Sequence, residues 1–193
     1  MKKRVKSSVK VFVVLAVLVV LALVYFGYLA NKPPRYEDED VELTHVQELL
    51  LNNLDKKYPA TPKEVVKLYS EITKAFYDEE YTEEELYDLV EMSYQLFDDE
   101  LKKKNPIEQY YENLQKEIAY YAENRYVIKA YNTSSSVDIE KAKFEKDGYT
   151  WTKVYGYYTM RYGTKMTTIE EVYVLRKDKA GYWRIFGWDL VKE

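Results

Sequence analysis

Residues 105–133 read NPIEQYYENLQKEIAYYAENRYVIKAYNT, and the fold class is decided where this stretch changes period. Up to Tyr121 the apolar residues Ile107, Tyr111, Leu114, Ile118 and Tyr121 recur every three or four positions, the spacing of one helix face. Asn105-Pro106-Ile107-Glu108 supplies the start signal for that helix. From Tyr126 onward the pattern alternates residue by residue, as on a half-buried strand. Helix before this point and strand after it predicts an α+β domain.

The same signals extend in both directions. Upstream, Thr61-Pro62-Lys63-Glu64 places Thr at the N-cap, Pro at the first helical position and Glu at the third. Val65, Leu68, Tyr69, Ile72 and Phe76 form the apolar stripe behind it. Thr82-Glu83-Glu84-Glu85 repeats the capping box, with Leu86, Leu89, Val90, Phe97 and Leu101 predicted on one continuous helix. Thr44-His45-Val46-Gln47 has the same spacing and starts a short helix through Leu54. Downstream, five strands are predicted over Tyr126–Thr133, Val137–Lys146, Tyr149–Tyr162, Met166–Lys177 and Tyr182–Val191. Turn-forming residues separate them, including Asp147-Gly148 and Tyr162-Gly163-Thr164. Short turns between successive strands imply an antiparallel meander, curved so that three helices pack on one face.

Farther upstream, residues 11–30 carry no charge. At 1.5 Å per residue such a run is long enough for a hydrocarbon core of roughly 30 Å, and it predicts a transmembrane helix contacting membrane lipid. Lys2, Lys3, Arg4, Lys6 and Lys10 precede it, whereas Glu37-Asp38-Glu39-Asp40 follow. The positive-inside rule therefore predicts a cytoplasmic basic tail over 1–10. It also predicts an acidic linker over 31–57 that carries the short helix, and an extracytoplasmic domain over 58–193 of a single-pass cell-membrane protein. A cleaved signal peptide fits less well, because a cut after Ala30 would put Tyr28 where a small residue is required.

All 33 acidic residues lie after residue 30, against 24 of the 29 basic ones, so that part carries a net charge of −9. This sign does not suit nucleic acid, whose phosphates are drawn to basic surfaces. The chain has no cysteine, which excludes disulfides, thiolate metal sites and a cysteine nucleophile. Its single histidine, His45, would have to serve any Ser-His-Asp triad. No glycine-rich phosphate loop is present, and the acidic run lacks the ligand spacing of a calcium loop. No cofactor and no metal are expected. Tyrosine is used 22 times. It offers a large ring with a polar tip, which suits strands, pockets and wet interfaces.

Two motifs carry a resemblance. Tyr58-Pro59-Ala60-Thr61-Pro62-Lys63-Glu64-Val65-Val66 and Gly181-Tyr182-Trp183-Arg184-Ile185-Phe186-Gly187-Trp188 resemble an uncharacterised family of single-span membrane-anchored proteins from anaerobic Gram-positive bacteria. The second motif is also similar to the closing strand of the nuclear transport factor two-like (SnoaL-like) superfamily. That resemblance implies a cone-like, cystatin/SnoaL-like sheet bent around helices with an apolar pocket inside. It implies a fold and no particular activity. Superfamily members include isomerases, dehydratases and non-catalytic domains of conjugation and cell-wall machinery.

The expected function is a membrane-tethered binding or assembly module with no catalytic residues assigned, meeting envelope or secretion-machinery proteins. Trp151, Tyr155, Tyr157, Tyr173, Trp183 and Trp188 are the candidate binding residues, because aromatic side chains dominate recognition surfaces. The alternative is an isomerase- or dehydratase-like pocket enzyme using an acid on the sheet. Glu170, Glu171 or Asp189 would be the base, and Tyr155, Tyr157, Tyr158 or Tyr173 the hydrogen-bond donor.

Overall fold

The computed structural model describes residues 17–28 and 43–191. The chain divides into two units, Met1–Glu42 and Leu43–Glu193. In the first, helix α1 covers residues 17–28, and its large apolar side chains are exposed. This corrects the expectation of a spanning helix over 11–30. Among the described residues no helix is long and apolar enough to cross a membrane. Residues 11–16 and 29–30 of that expected span lie outside the described residues, as do the expected tail 1–10 and residues 31–42 of the linker.

The second unit contains α2 (His45–Leu50), α3 (Pro62–Asp78), α4 (Glu83–Gln95), α5 (Asp99–Lys104), α6 (Ile107–Asn124), β1 (Tyr126–Thr133), α7 (Ser136–Lys141), β2 (Phe144–Lys146), β3 (Tyr149–Tyr162), β4 (Lys165–Lys177) and β5 (Trp183–Leu190). All three capping boxes form. The hydroxyls of Thr44, Thr61 and Thr82 accept from the backbone N–H of Gln47, Glu64 and Glu85, whose side chains return to the cap backbone. Each cap contributes about 1 kcal/mol. The unit begins earlier than position 58, because α2 buries Val46 and Leu49 in the core.

The five strands form one curved antiparallel sheet in the order β1-β3-β4-β5, with β2 pairing β3 alongside β1. Register shifts between Ile128 and Ala130, and between Val174 and Leu175, mark bulges. Each inserts a residue and bends its strand, which curves the sheet. Helix α3 lies across the concave side, against β1, β3 and β5, and α6 packs on α3, α4 and β1. Residues facing these helices alternate along each strand: Val154, Tyr158 and Met160 on β3, Tyr173 and Leu175 on β4, and Ile185 on β5 are all buried.

Two further expectations are corrected. The segment predicted as strand Val137–Lys146 starts as helix α7, and only Phe144–Lys146 is strand. Ser135 accounts for this: its hydroxyl accepts from Asp138 N–H and donates to the Asp138 carboxylate at 2.6 Å, closing a helical turn. Ile139 alone is buried on α7, so the apparent two-residue period was a one-turn helix face. β1 consequently pairs with β3, and the sheet is not a simple meander. The helix expected to run from Thr82 through Leu101 breaks after Gln95. Residues 96–98 are taken by the sheet edge: Ile185 N–H donates to Leu96 O, and Asp98 N–H donates to Ile185 O, both at 2.8 Å. The break turns Phe97 into the core, where it contacts Tyr69, Tyr94, Tyr110 and Trp188.

The two resemblance motifs meet in space. The Tyr58 hydroxyl donates to Trp183 O at 2.8 Å, and the Arg184 guanidinium lies 4.3 Å from the Tyr58 ring centroid. Arg184 Nε also bonds Asp178 at 2.9 Å. The segment entering α3 is thereby clasped to the closing strand.

Candidate functional site

Between α3, α6 and the concave face of the sheet lies a cavity of about 110 Å³. Tyr69, Phe76 and Tyr77 reach it from α3, Leu114, Glu117 and Tyr121 from α6, and Tyr158, Glu171, Tyr173 and Trp188 from the sheet. Among its lining residues Tyr69 and Tyr173 are buried, whereas Glu117 is exposed and marks the mouth. Tyr77 and Tyr121 stack at 4.2 Å between centroids.

A chain of four polar side chains runs from buried Ser70 to the cavity wall, which Tyr158, Tyr173 and Glu171 line. Tyr173 donates to Glu171 Oε2 at 2.5 Å, the Tyr158 and Tyr173 hydroxyls are 2.7 Å apart, and Ser70 Oγ is 2.8 Å from the Tyr158 hydroxyl. A phenol has one proton to give. With Tyr173 donating to the carboxylate, Tyr158 donates to Tyr173 and Ser70 donates to Tyr158. Every hydroxyl dipole then points toward Glu171. Burial raises the Glu171 carboxyl above the ordinary glutamate range, against the Tyr173 hydrogen bond, and the nearby Glu117 charge adds to the rise. Burial also pushes the Tyr158 phenol up to about 12, and the Tyr173 phenol well above its ordinary value. Both phenols stay protonated and serve as donors.

Local structure explains this convergence. The register pairs Gly156 with Glu171 and Val154 with Tyr173. A Cβ on Gly156 would lie 2.9 Å from Tyr173 Cε2, so glycine there makes room for the ring. Strand alternation then separates the acids. Glu171 faces the cavity, whereas Glu170 pairs with Tyr157 across the opposite face and Asp189 is exposed opposite Val172.

The candidate binding residues separate in the same way. Tyr173 and Trp188 line the cavity, stacked at 6.2 Å. Trp183 is buried beside the Tyr58 clasp. Trp151 packs on the convex side between Phe144 and Phe186, its indole N–H donating to Lys146 O at 3.0 Å. Tyr155 and Tyr157 are half-buried on that convex face. The tertiary structure therefore joins two of the six in one site. His45 is exposed in the first turn of α2, 4.0 Å from Glu71. Among the described residues no three His, Cys, Asp or Glu side chains group as metal ligands.

Sequence reasoning missed Ser70, Tyr77 and Glu117. A signal for Glu117 exists: it sits three residues after Leu114 and four before Tyr121, so it interrupts an apolar helix face with a charge. The family model described as Domain of unknown function (DUF6715) matches residues 1–188. The chain belongs to this family. No curated protein matches the chain. In this DUF6715 chain the matched region contains the whole cavity, from Tyr69 to Trp188.

Proposed function

We propose that the domain is a small-molecule-binding module whose ligand occupies the tyrosine-lined cavity. The carrying observation is the Ser70–Tyr158–Tyr173–Glu171 chain, which orients one buried-side carboxylate in a wall made mostly of aromatic and aliphatic side chains. Concave, mostly apolar sites with a few convergent polar groups are the usual form of ligand pockets. A curved sheet wrapped around helices with a cavity inside is also what the resemblance to the SnoaL-like superfamily implies, and it supports the same reading.

The chain favours binding over the isomerase-like alternative. An oxyanion site needs donors free to point at the substrate, whereas the Tyr158 and Tyr173 hydroxyls donate within the protein. Glu171 retains the raised carboxyl that a general base would use.

A thermal-shift screen of the full chain against a metabolite library tests the proposal, with Leu114→Trp as the filled-cavity control. The expected result is a compound class that raises the melting temperature of the wild type and leaves Leu114→Trp unmoved. If every stabilising compound acts equally on both proteins, the cavity is not the binding site and the reading fails.

A further inference from the structure

The cavity has a charge imbalance that the fold leaves uncorrected. Its lining includes two carboxylates, Glu117 and Glu171, and no lysine, arginine or histidine. Neither glutamate is in a salt bridge with a basic residue among the described residues. Elsewhere in the unit several buried or half-buried acids have counter-ions: Arg176 pairs with Asp98, Lys74 with Asp78 and Arg184 with Asp178. A carboxylate in such a setting retains its charge only when a counter-charge or several hydrogen bonds oppose the loss of water. Glu171 accepts one hydrogen bond, from Tyr173.

The remaining wall suits a cation. The stacked Tyr77 and Tyr121 rings and the Trp188 indole all line it. Aromatic faces attract a cation through the ring quadrupole, most strongly when it is desolvated. Anionic ligands would meet two like charges, and a neutral polyol would leave the Glu171 carboxylate without a counter-charge. Resting on the small-molecule reading above, we infer that the ligand is a compact organic cation, an amine or a quaternary ammonium, held between Glu171 and the aromatic walls. Glu117, exposed at the mouth, attracts the cation during entry. Glu171 is its counter-ion in the bound state.

The test uses the full chain and two probes of one shape, choline and its neutral carbon isostere 3,3-dimethyl-1-butanol, titrated by calorimetry at pH 7. Choline is expected to bind at least about tenfold more tightly than the isostere. Glu171→Gln is expected to remove most of that preference, and Glu117→Gln to weaken choline binding less and mainly at low salt. Far-UV circular dichroism of both variants confirms that they fold. If the isostere binds as well as choline, or Glu171→Gln leaves the preference intact, the cation assignment is overturned while the cavity remains a ligand site. If neither probe binds, the assignment to a compact cation also fails, and the library screen decides separately whether the cavity takes ligands of another class.

Discussion

Replacing Arg176 with methionine tests how the convex side is held together. Arg176 projects from β4 and grips the break between α4 and α5. Its Nε donates to Asp98 Oδ2 at 2.9 Å, its Nη2 to Asp98 Oδ1 at 2.5 Å and its Nη1 to Glu100 at 2.7 Å. Its guanidinium also lies 4.5 Å from the Tyr149 ring centroid and 5.1 Å from that of Phe186. Asp98 is only 3% exposed, and without Arg176 its carboxylate retains one hydrogen bond, from Glu100 N–H. Breaking a buried ion pair on one side costs about 3–5 kcal/mol. The lower end applies here, because the Arg176 side chain is 11% exposed and water can reach the site. Loss of the ring contacts adds about 0.5–1 kcal/mol, in part recovered by methionine packing. The expected loss is therefore about 3–4 kcal/mol, which lowers the urea midpoint of the full chain by more than about 1 M at ordinary slopes. The assay is equilibrium urea unfolding followed by far-UV circular dichroism. Asp98→Asn combined with Arg176→Met removes the buried charge while keeping a capping oxygen, and it should recover most of the loss. A single variant within about 1 kcal/mol of wild type, or a double variant no more stable than the single, would refute the reasoning.

Three other outcomes follow from the site and the clasp. Gly156→Ala pushes a methyl group against the Tyr173 ring, and the overpacking should cost about 1–3 kcal/mol and disturb the Glu171 hydrogen bond; a thermal melt within 1 °C of wild type would contradict the close approach. Because the folded Glu171 carboxyl is raised, the native state holds a proton that the unfolded chain releases near pH 4.3; its favourable contribution is complete below that value and declines, by at most about 1.4 kcal/mol per pH unit, as pH rises through the folded pKa. Urea unfolding across pH 4–8 should show this decline in wild type and not in Glu171→Gln. Tyr58→Phe removes the hydroxyl bonded to Trp183 O and keeps the ring beneath Arg184, so it should cost about 1 kcal/mol, whereas Tyr58→Ala should cost clearly more.

Local signals in the chain were enough for most of the elements. The capping threonines at 44, 61 and 82 start helices as their spacing requires, and the strands at Tyr126–Thr133 and Tyr149–Tyr162 have the predicted bounds. The Asp147-Gly148 turn likewise forms, with both residues at positive φ. These features depend on neighbours a few residues apart, so the sequence carries them directly. Where sequence reading went astray, a distant partner decided in one case and a competing local cap in the other. The helix after Thr82 breaks because β5 takes the backbone of residues 96–98, and the α7 segment follows its Ser135 cap although its apolar residues also alternate.

By itself the sequence determined the α+β class, the helix starts, the acidic balance after residue 30 and a short roster of acids and tyrosines from which a site could be built. It also suggested a spanning helix longer and more apolar than any found among the described residues. Only the tertiary structure decided which of Glu170, Glu171 and Asp189 enters the cavity, that Tyr77 and Glu117 line it too, and that Ser70 reaches it through Tyr158. The physical reason is that sheet register and helix placement are set by burying whole faces over long sequence separations. A one-residue change in register would exchange the two faces of the strand and send Glu171 out to solvent.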